Sequence, residues 1–252
     1  MTEVIRTPEE MMQWRKKWSR KSVGFVPTMG ALHSGHESLL KKAREENEAC
    51  VLSIFVNPTQ FNDQKDYEKY PLTWDADKQL AQKHEVDVVF APTFEAIYPD
   101  GYKFKVSENN FSLDLCGKDR PGHFDGVLSI VMKLFNIVQP HRAYFGEKDF
   151  QQLKLIEDMA KAFFLPVQIV PMPTVREKDG LALSSRNVHL TAEQRQQAPI
   201  IYKVISQSQS AQEAEEKLKS QNWLVDYVKD LQGRRYVAVR VGEVRLIDNV
   251  KI

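Results

Sequence analysis

His33 and His36 stand on either side of Gly35, three residues apart. The apolar run Val23–Val26 predicts a buried strand before them, and Ser34–Asn47 predicts an amphipathic helix beginning at them. The N-terminus of a helix offers unpaired amides and partial positive charge, which suits a phosphate group. The glycine lets a ligand approach the backbone closely, and the histidines add donors whose charge can be tuned near neutral pH. This spacing predicts a phosphate-binding site.

The same stretch contains a helix-start pattern, because Ser34-Gly-His-Glu37 matches a capping box in which Ser34 and Glu37 bond the first free amides. It is neither a Walker A loop nor a dinucleotide-binding glycine turn. His-x-Gly-His is the signature of class I aminoacyl-tRNA synthetases and their small nucleotidyltransferase relatives. Two histidines at this spacing could instead be half of a metal site or simple helix caps. The preceding strand, the glycines and the serine favour the phosphate site.

A second polar cluster follows the predicted strand Ala143–Phe145 and precedes the predicted helix Phe150–Phe163. Lys148 can place an ammonium group on phosphate oxygens. Gln152 would project from the first turn of the helix toward a bound molecule. The alternative is a polar loop whose aspartate starts a helix.

Two further clusters are weaker signals by themselves. Ser184 and Ser185 followed by Arg186 make a compact phosphate clamp of two hydroxyls and a guanidinium. Asn57 and Gln60 come just after a second buried strand and can hydrogen-bond a hydroxy acid. Loops often contain such residues, so neither cluster indicates a function unless the other polar clusters accompany it.

The bulk composition excludes several classes of protein. A formal net charge of +1 over 252 residues gives no broad field for binding nucleic acid or an anionic membrane. Cys50 and Cys116 are far apart, which disfavours a disulfide scaffold and a zinc ribbon and fits a reducing compartment. The chain opens with a charged stretch without a signal-peptide core, and its apolar runs are too short for a membrane span. We therefore expect a cytoplasmic protein.

Short β-branched runs alternate with amphipathic segments through the first two thirds of the chain, which predicts a parallel, doubly wound α/β sheet. Ligands of such sheets bind beyond the carboxyl ends of the strands. The predicted strands of this part are Val23–Val26, ended by Pro27, Cys50–Val56, Val86–Phe90, Ala143–Phe145 and Val167–Val170. Its predicted helices are Ser34–Asn47, Asp75–His84, Phe124–Val138 and Phe150–Phe163.

The last third of the chain has a different order of predicted elements. It predicts two surface helices, Thr191–Ser206 and Ala211–Ser220, and then three strands joined by tight turns: Val225–Lys229, Arg235–Arg240 and Val244–Ile247. Strands joined so closely can hardly be parallel. We expect a domain of residues 1–174 followed by a small C-terminal α+β domain of residues 175–252.

Taken together and in this order, the four clusters and the segment Gly117–Phe124 resemble the pantothenate synthetase (pantoate–β-alanine ligase) family. The resemblance runs from about residue 2 to the terminal Arg245–Asn249, nearly the whole chain. It implies a Rossmann-like nucleotidyltransferase domain, a lid-like C-terminal domain and a homodimer. It also implies condensation of (R)-pantoate with β-alanine, in which ATP is split to AMP and pyrophosphate by way of a pantoyl-adenylate and Mg²⁺ accompanies the nucleotide.

The resemblance also implies roles for particular residues. His36 is the expected proton donor, and His33, Lys148 and Arg186 share the stabilisation of the phosphates. Gln60 and Gln152 are expected to hold pantoate, with Gln60 also at the β-alanine site. Arg120 and His123 lie on the motif nearest the nucleotide and the dimer region. The expected ATP-binding residues are Met29, Gly30, Ala31, Leu32, His33, Ser34, Gly35, His36, Gly146, Glu147, Lys148, Asp149, Val175, Leu183, Ser184, Ser185 and Arg186. Metal ligands are not fixed by the resemblance, although Asp77 or Asp149 through water is conceivable.

Two departures from the family pattern stand out. The family commonly has arginine where this chain has Leu72, and the hairpin at Gln232-Gly233 is shorter than usual. Three other functions remain open: a related nucleotidyltransferase acting on a phosphate, a tRNA synthetase, and an inactive nucleotide sensor. The glutamines and asparagine suit a hydroxy acid better than a phosphate. Short length and little basic surface disfavour a synthetase, and the retained His33, His36, Lys148 and Arg186 disfavour a sensor.

Overall fold

The structure, a computed structural model, describes residues 2–252 and contains two β-sheets with helices packed around them. The strands are β1 Glu3–Ile5, β2 Val23–Thr28, β3 Ala49–Ile54, β4 Val88–Phe90, β5 Arg142–Gly146, β6 Gln168–Met172, β7 Leu224–Leu231, β8 Arg234–Val241 and β9 Val244–Lys251. The helices are α1 Pro8–Lys17, α2 Ser34–Glu46, α3 Gln64–Glu68, α4 Trp74–Lys83, α5 Phe94–Ile97, α6 Cys116–Asp119, α7 His123–Val138, α8 Phe150–Ala162, α9 Ala192–Gln197, α10 Ile200–Gln207 and α11 Ala211–Lys219. Short 3₁₀ turns occupy Pro58–Gln60, Phe111–Leu113, Glu147–Asp149 and Ser185–His189.

The larger sheet is parallel, with strand order β1-β4-β3-β2-β5-β6. The predicted doubly wound α/β architecture is therefore confirmed. The strand order reverses between β2 and β5, which leaves a crevice at the carboxyl ends of these two strands. The histidine motif follows β2, and the Lys148 cluster follows β5. The topology thus brings both polar clusters to one rim of the sheet.

The smaller sheet is antiparallel, with strand order β7-β8-β9, as the tight turns predicted. Gln232 and Gly233 form the two-residue turn between β7 and β8, with φ of 52° and 73°. Positive φ at both central residues matches the twist of a two-residue hairpin. The sheet packs on α10 and α11 around a hydrophobic cluster of its own, which includes Ile205, Leu218 and Val237. Division into domains at residue 174 remains a prediction.

Two predictions of secondary structure need correction. The strand at Val23 does not end at Pro27 but runs to Thr28, because its pairing with β5 covers only Gly24 and Phe25 and requires no amide from the proline. The single helix predicted over Thr191–Ser206 is two helices, α9 and α10, which Pro199 separates. The structure also contains elements that were not predicted, namely the strand β1 and the helices α1, α3, α5 and α6.

The apolar faces of the elements are buried on both sides of the larger sheet. Phe25 and Val51 point to the cluster on one face, where α7 packs, and Val26 and Leu52 point to the cluster on the other, where α2 packs. Within residues 2–252, none of the helices has both the length and the apolar character needed to cross a bilayer.

Candidate active site

A cavity of about 260 Å³ lies at the rim where β2 and β5 end, and we call it the inner cavity. Its wall contains residues from all four polar clusters singled out in the sequence. The predicted site residues that line it are Met29, His33, Gly35, His36, Gln60, Gly146, Lys148, Asp149, Gln152, Val175, Leu183, Ser184, Ser185 and Arg186. Gly30, Ala31, Leu32, Ser34 and Glu147, which were also expected at the ATP site, do not line it.

The histidines themselves cap the helix α2. His33 is the N-cap residue, and its Nδ1 accepts a hydrogen bond from the amide of Gly35 at 3.1 Å. His36 Nδ1 accepts from the amide of His33 at 3.3 Å. The predicted capping box of Ser34 and Glu37 is therefore wrong.

The carboxylate of Glu37 is engaged elsewhere, because it accepts from Lys83 Nζ at 2.6 Å and lies 3.0 Å from His84 Nε2. In the two capping histidines Nδ1 is an acceptor, so in the neutral rings the proton sits on Nε2. The alternative prediction, that the two histidines cap a helix, is confirmed. The same two side chains also line the inner cavity.

A buried carboxylate holds the loop between β2 and α2. Asp77, from α4, is 2% exposed and accepts from the amides of Ala31 at 3.0 Å and Leu32 at 2.8 Å. Thr73 Oγ1 donates to the same group at 3.1 Å. Gly30 has φ of 82°, and a Cβ there would come within 2.9 Å of the Asp77 carboxylate. Asp77 therefore fixes the loop, and it does not line the cavity where a metal could accompany ATP.

Burial and neighbouring groups favour the neutral form of the two motif histidines, because they lower the pKa of each. Burial, with contributions from the neighbouring His33 and from Lys148, lowers the pKa of His36 to about 3. Burial and the Lys148 ammonium likewise lower the pKa of His33. The ring centroids lie 4.1 Å apart, so two imidazolium charges would repel each other strongly. Neutral imidazoles can still donate hydrogen bonds through Nε2.

Gln60 is held from both its side chain and its backbone. Its Oε1 accepts from Asn57 Nδ2 at 3.1 Å, and its Nε2 lies 3.2 Å from Met29 Sδ. Its backbone oxygen accepts from His123 Nδ1 at 2.8 Å and from Arg120 Nη2 at 3.2 Å. Arg120 and His123, which the resemblance placed on the motif nearest the nucleotide and the dimer region, line the inner cavity and also hold the backbone oxygen of Gln60.

The sequence offered Asn57 as a hydrogen-bond partner for a hydroxy acid. In the structure, both its side-chain nitrogen and its side-chain oxygen already bond other protein groups. It is 1% exposed, donates to the backbone oxygen of Gly126 at 3.1 Å, and accepts from Thr59 and Tyr98 at 3.0 and 3.1 Å. A Cβ on Gly126 would lie 2.5 Å from the backbone oxygen of Thr59, so α7 can approach the 3₁₀ turn only with glycine there. Asn57 thus supports Gln60 rather than a ligand.

The adjacent glutamines of α8 have different surroundings. Gln151 is 5% exposed, donates to the backbone oxygens of Phe111 and Asp114 at 2.8 Å each, and accepts from the amide of Cys116 at 3.1 Å. Gln152 lines the inner cavity, as the sequence predicted for a residue in the first turn of this helix.

The Ser184–Arg186 clamp borders a second, outer cavity of about 490 Å³, which shares Lys148 and Asp149 with the inner one. Arg186 pairs with Asp66 of α3 at 3.1 Å. Leu72, which replaces the family's usual arginine, is 82% exposed and lines neither cavity.

No group of three or more metal-ligating side chains occurs within residues 2–252. Asp149 is the one carboxylate in this part of the chain that lines the inner cavity. The site therefore offers no cage of its own for a metal, but it does offer one carboxylate beside a space for phosphates.

Comparisons with known proteins identify the family of the chain. The family model for pantoate-beta-alanine ligase matches residues 3–251. The pantothenate synthetase of Bdellovibrio bacteriovorus is 61% identical over 252 residues, covering 100% of each chain, and that of Legionella pneumophila strain Lens is 49% identical, covering 98% of each. The crystal structure of pantoate-beta-alanine ligase from Francisella tularensis, complexed with beta-gamma ATP and β-alanine, has a TM-score of 0.94 at 41% identity, covering 100% of this chain and 98% of that one. The chain belongs to the pantoate–β-alanine ligase family.

Proposed function

We propose that this chain uses ATP to condense (R)-pantoate with β-alanine, by way of a pantoyl-adenylate, and releases AMP and pyrophosphate. The observation that carries the proposal is the convergence in one cavity of the histidine motif, Lys148, the Ser184–Arg186 clamp and the two glutamines. The ligands reported for the Francisella tularensis relative, an ATP compound and β-alanine, support the same assignment.

The phosphates of ATP would lie against the cationic part of the wall. Lys148 and Arg186 both line the inner cavity, and the helix α2 begins there with His33 and His36. Attack of a carboxylate on a polyanion is opposed mainly by charge, so catalysis here is positioning and charge neutralisation. The histidines donate through Nε2, and nearby phosphates would raise their pKa, so that His36 could deliver a proton to the leaving pyrophosphate.

Pantoate would be held by Gln60 and Gln152, whose amides can bond its hydroxyl and carboxylate groups. Arg120 and His123 hold the backbone oxygen of Gln60, and the bond from Asn57 Nδ2 to Gln60 Oε1 orients its carboxamide. In the second step the neutral amine of β-alanine attacks the acyl carbon of the adenylate, and AMP leaves. This step needs no nucleophile from the protein. Cys50 is fully buried, and burial raises the pKa of its thiol to about 12.

Mg²⁺ fits the proposal as a companion of ATP. The ion commonly binds one or two carboxylates together with substrate phosphates, and Asp149 is the carboxylate available at the cavity wall. When bound, it would neutralise phosphate charge.

The two-domain division at residues 174 and 175, the homodimer and the cytoplasmic location are part of the same proposal. The separate hydrophobic cluster under β7, β8 and β9 supports the division. The homodimer and the location rest on the family alone.

Isotope exchange tests the proposed function. Pyrophosphate should exchange into ATP only when pantoate is present, and an amide should form only after β-alanine is added. Exchange driven by an amino acid without pantoate would favour a synthetase, and exchange driven by a phosphorylated substrate would favour a different nucleotidyltransferase.

A further inference from the structure

Asn249 of β9 crosses from the smaller sheet to the turn that carries Lys148. Its Nδ2 donates to the backbone oxygens of Glu147 and Lys148, at 2.9 Å each. The side chain is 4% exposed and therefore bonds protein rather than water. Both protons of one amide are thus used to hold two consecutive carbonyls of a three-residue 3₁₀ turn.

The orientation of this amide is fixed by its other neighbours. Arg234 Nη1 donates to Asn249 Oδ1, so the oxygen must face the guanidinium and the nitrogen must face the turn. Asp248 Oδ1 accepts from the backbone N–H of Asn249 at 2.8 Å, and the same carboxylate pairs with Arg176 at 2.6 and 2.9 Å. The end of β9 is therefore anchored independently of the turn.

We propose that Asn249 is a positioning residue for adenylation, which sets the direction of the Lys148 side chain by clamping the backbone on which it stands. This inference rests on the proposed function. Lys148 does not set its own position, since its nearest ion-pair partner, Asp149, lies 3.6 Å away and is half exposed. A displacement of about 1 Å at a reacting centre can cost about 100-fold in rate, so a two-bond clamp at the backbone has a large effect on the ammonium group.

Other contacts to the turn cannot replace the clamp. Arg234 Nη2 donates to Glu147 Oε2 at 3.3 Å, and this contact holds the Glu147 side chain, which does not line the inner cavity, rather than the carbonyl of Lys148. Loss of the Asn249 amide would remove the side-chain donor from both carbonyls and allow the peptide of Lys148 to rotate. The smaller sheet would then remain folded while the phosphate site lost its geometry.

The experiment is a double-mutant cycle of Asn249→Ala and Lys148→Ala, read by pantoate-dependent exchange of pyrophosphate into ATP at saturating substrates. We expect Lys148→Ala to slow exchange by at least about 100-fold, because it removes a donor to developing charge. Asn249→Ala should slow it by about 10- to 100-fold. The double variant should be no more than about threefold slower than Lys148→Ala, because the clamp has nothing left to position.

Two further variants separate positioning from folding. Val250→Ala alters the neighbouring residue of β9, which packs on the smaller sheet's own cluster, and should lower the unfolding midpoint while leaving exchange unchanged. Asn249→Asp keeps the size but replaces both donors with an acceptor that faces two carbonyls, so it should be at least as slow as Asn249→Ala. The KM for β-alanine, which belongs to the second step, should not change in either Asn249 variant.

The outcomes are distinguishable. Wild-type protein without pantoate-dependent exchange would overturn the proposed function and this inference with it. An active wild type with a fully active Asn249→Ala variant, or with fully additive effects in the cycle, would overturn the inference alone. Loss of exchange in Val250→Ala to the same extent as in Asn249→Ala would assign the effect to folding and also overturn it.

Discussion

The buried carboxylate of Asp77 accepts a hydrogen bond from the backbone amide of Leu32, 2.8 Å away and 45 positions earlier in the chain. The bond ties α4 to the loop that ends at the histidine motif. Because the other carboxylate oxygen takes the amide of Ala31, one side chain satisfies two successive backbone donors. The conformation of the loop between β2 and α2 is therefore set by a side chain that lies outside the inner cavity.

Replacement of Asp77 should loosen that loop. In Asp77→Asn the new amide group presents protons to one of the two backbone donors, which leaves a buried donor unpaired at a cost of about 1–3 kcal/mol. We expect a lower free energy of unfolding in urea and slower pantoate-dependent exchange. Asp75→Asn, at an exposed position of the same helix, is the matched control and should change neither. Unaltered exchange in Asp77→Asn would contradict a role for the loop clamp.

The neighbouring glutamines of α8 should give opposite phenotypes. Gln152→Ala should raise the KM for pantoate while ATP affinity and unfolding remain near normal, because the side chain lines the cavity. Gln151→Ala should instead lower the free energy of unfolding by about 1–3 kcal/mol, because it leaves the buried amide of Cys116 without its acceptor and removes a second donor from the carbonyls of Phe111 and Asp114. Steady-state kinetics and urea unfolding of both variants measure the difference. A raised KM for ATP with a normal KM for pantoate in Gln152→Ala would refute the pocket assignment.

Acid should destabilise the protein through His36 and His123. The pKa of each is lowered to about 3 in the folded state, His36 by burial and then by His33 and Lys148, His123 by burial and then by Arg120. An unfolded histidine titrates near about 6.5, so between these values the unfolded chain binds more protons and stability falls as the pH falls. At about pH 5.5 the loss is about 1.4 kcal/mol for each histidine.

Urea unfolding at about pH 7.5 and about pH 5.5 measures this loss. The variant His123→Gln should have a lower free energy of unfolding at neutral pH, because its bond to the Gln60 backbone changes. Its free energy of unfolding should also fall less between the two pH values than that of the wild type. His189 is exposed, and the control variant His189→Gln should lose as much free energy of unfolding between the two pH values as the wild type. Equal stability of the wild type at the two pH values would show that the folded histidines titrate normally.

ATP should reverse the shift at His36. The negative phosphates would stabilise the imidazolium form and so raise the pKa of His36 from about 3, against the effects of burial and Lys148. The histidine ring signals in NMR spectra, titrated with and without a non-hydrolysable ATP analogue, report the change. A pKa that stays unchanged or falls when the analogue binds would exclude His36 as a proton donor.

Local patterns were enough to predict the strand-and-helix alternation and the shared rim of the sheet. Val23–Val26 and Ser34–Asn47 carry their own periodicity and end signals, so β2 and α2 could be located to within two residues. The capping prediction failed because His33 competes with Ser34 for the same amides, and Glu37 finds Lys83 and His84 from another helix. Such competition depends on tertiary contacts.

The residues that hold the site were beyond local reasoning. Gln60 is fixed by Arg120 and His123, and the Lys148 turn is fixed by Asn249, about 100 positions later. No periodicity or spacing pattern relates these pairs, since each bond forms only when distant segments pack together. The sequence could therefore predict which side chains face a ligand more readily than which ones support them.

The pairing of β2 with β5 has a consequence for the order of folding. The amide of Val23 bonds His141 across 118 positions of chain, and the crevice lies between these two strands. Contacts of such long range carry a large loop-closure entropy and form slowly. A chain with only its first strands and helices in place would lack the part of the inner cavity wall that follows β5, including Lys148 and Gln152. Nucleotide binding should therefore report completed folding, and ATP should protect only the finished molecule against proteolysis.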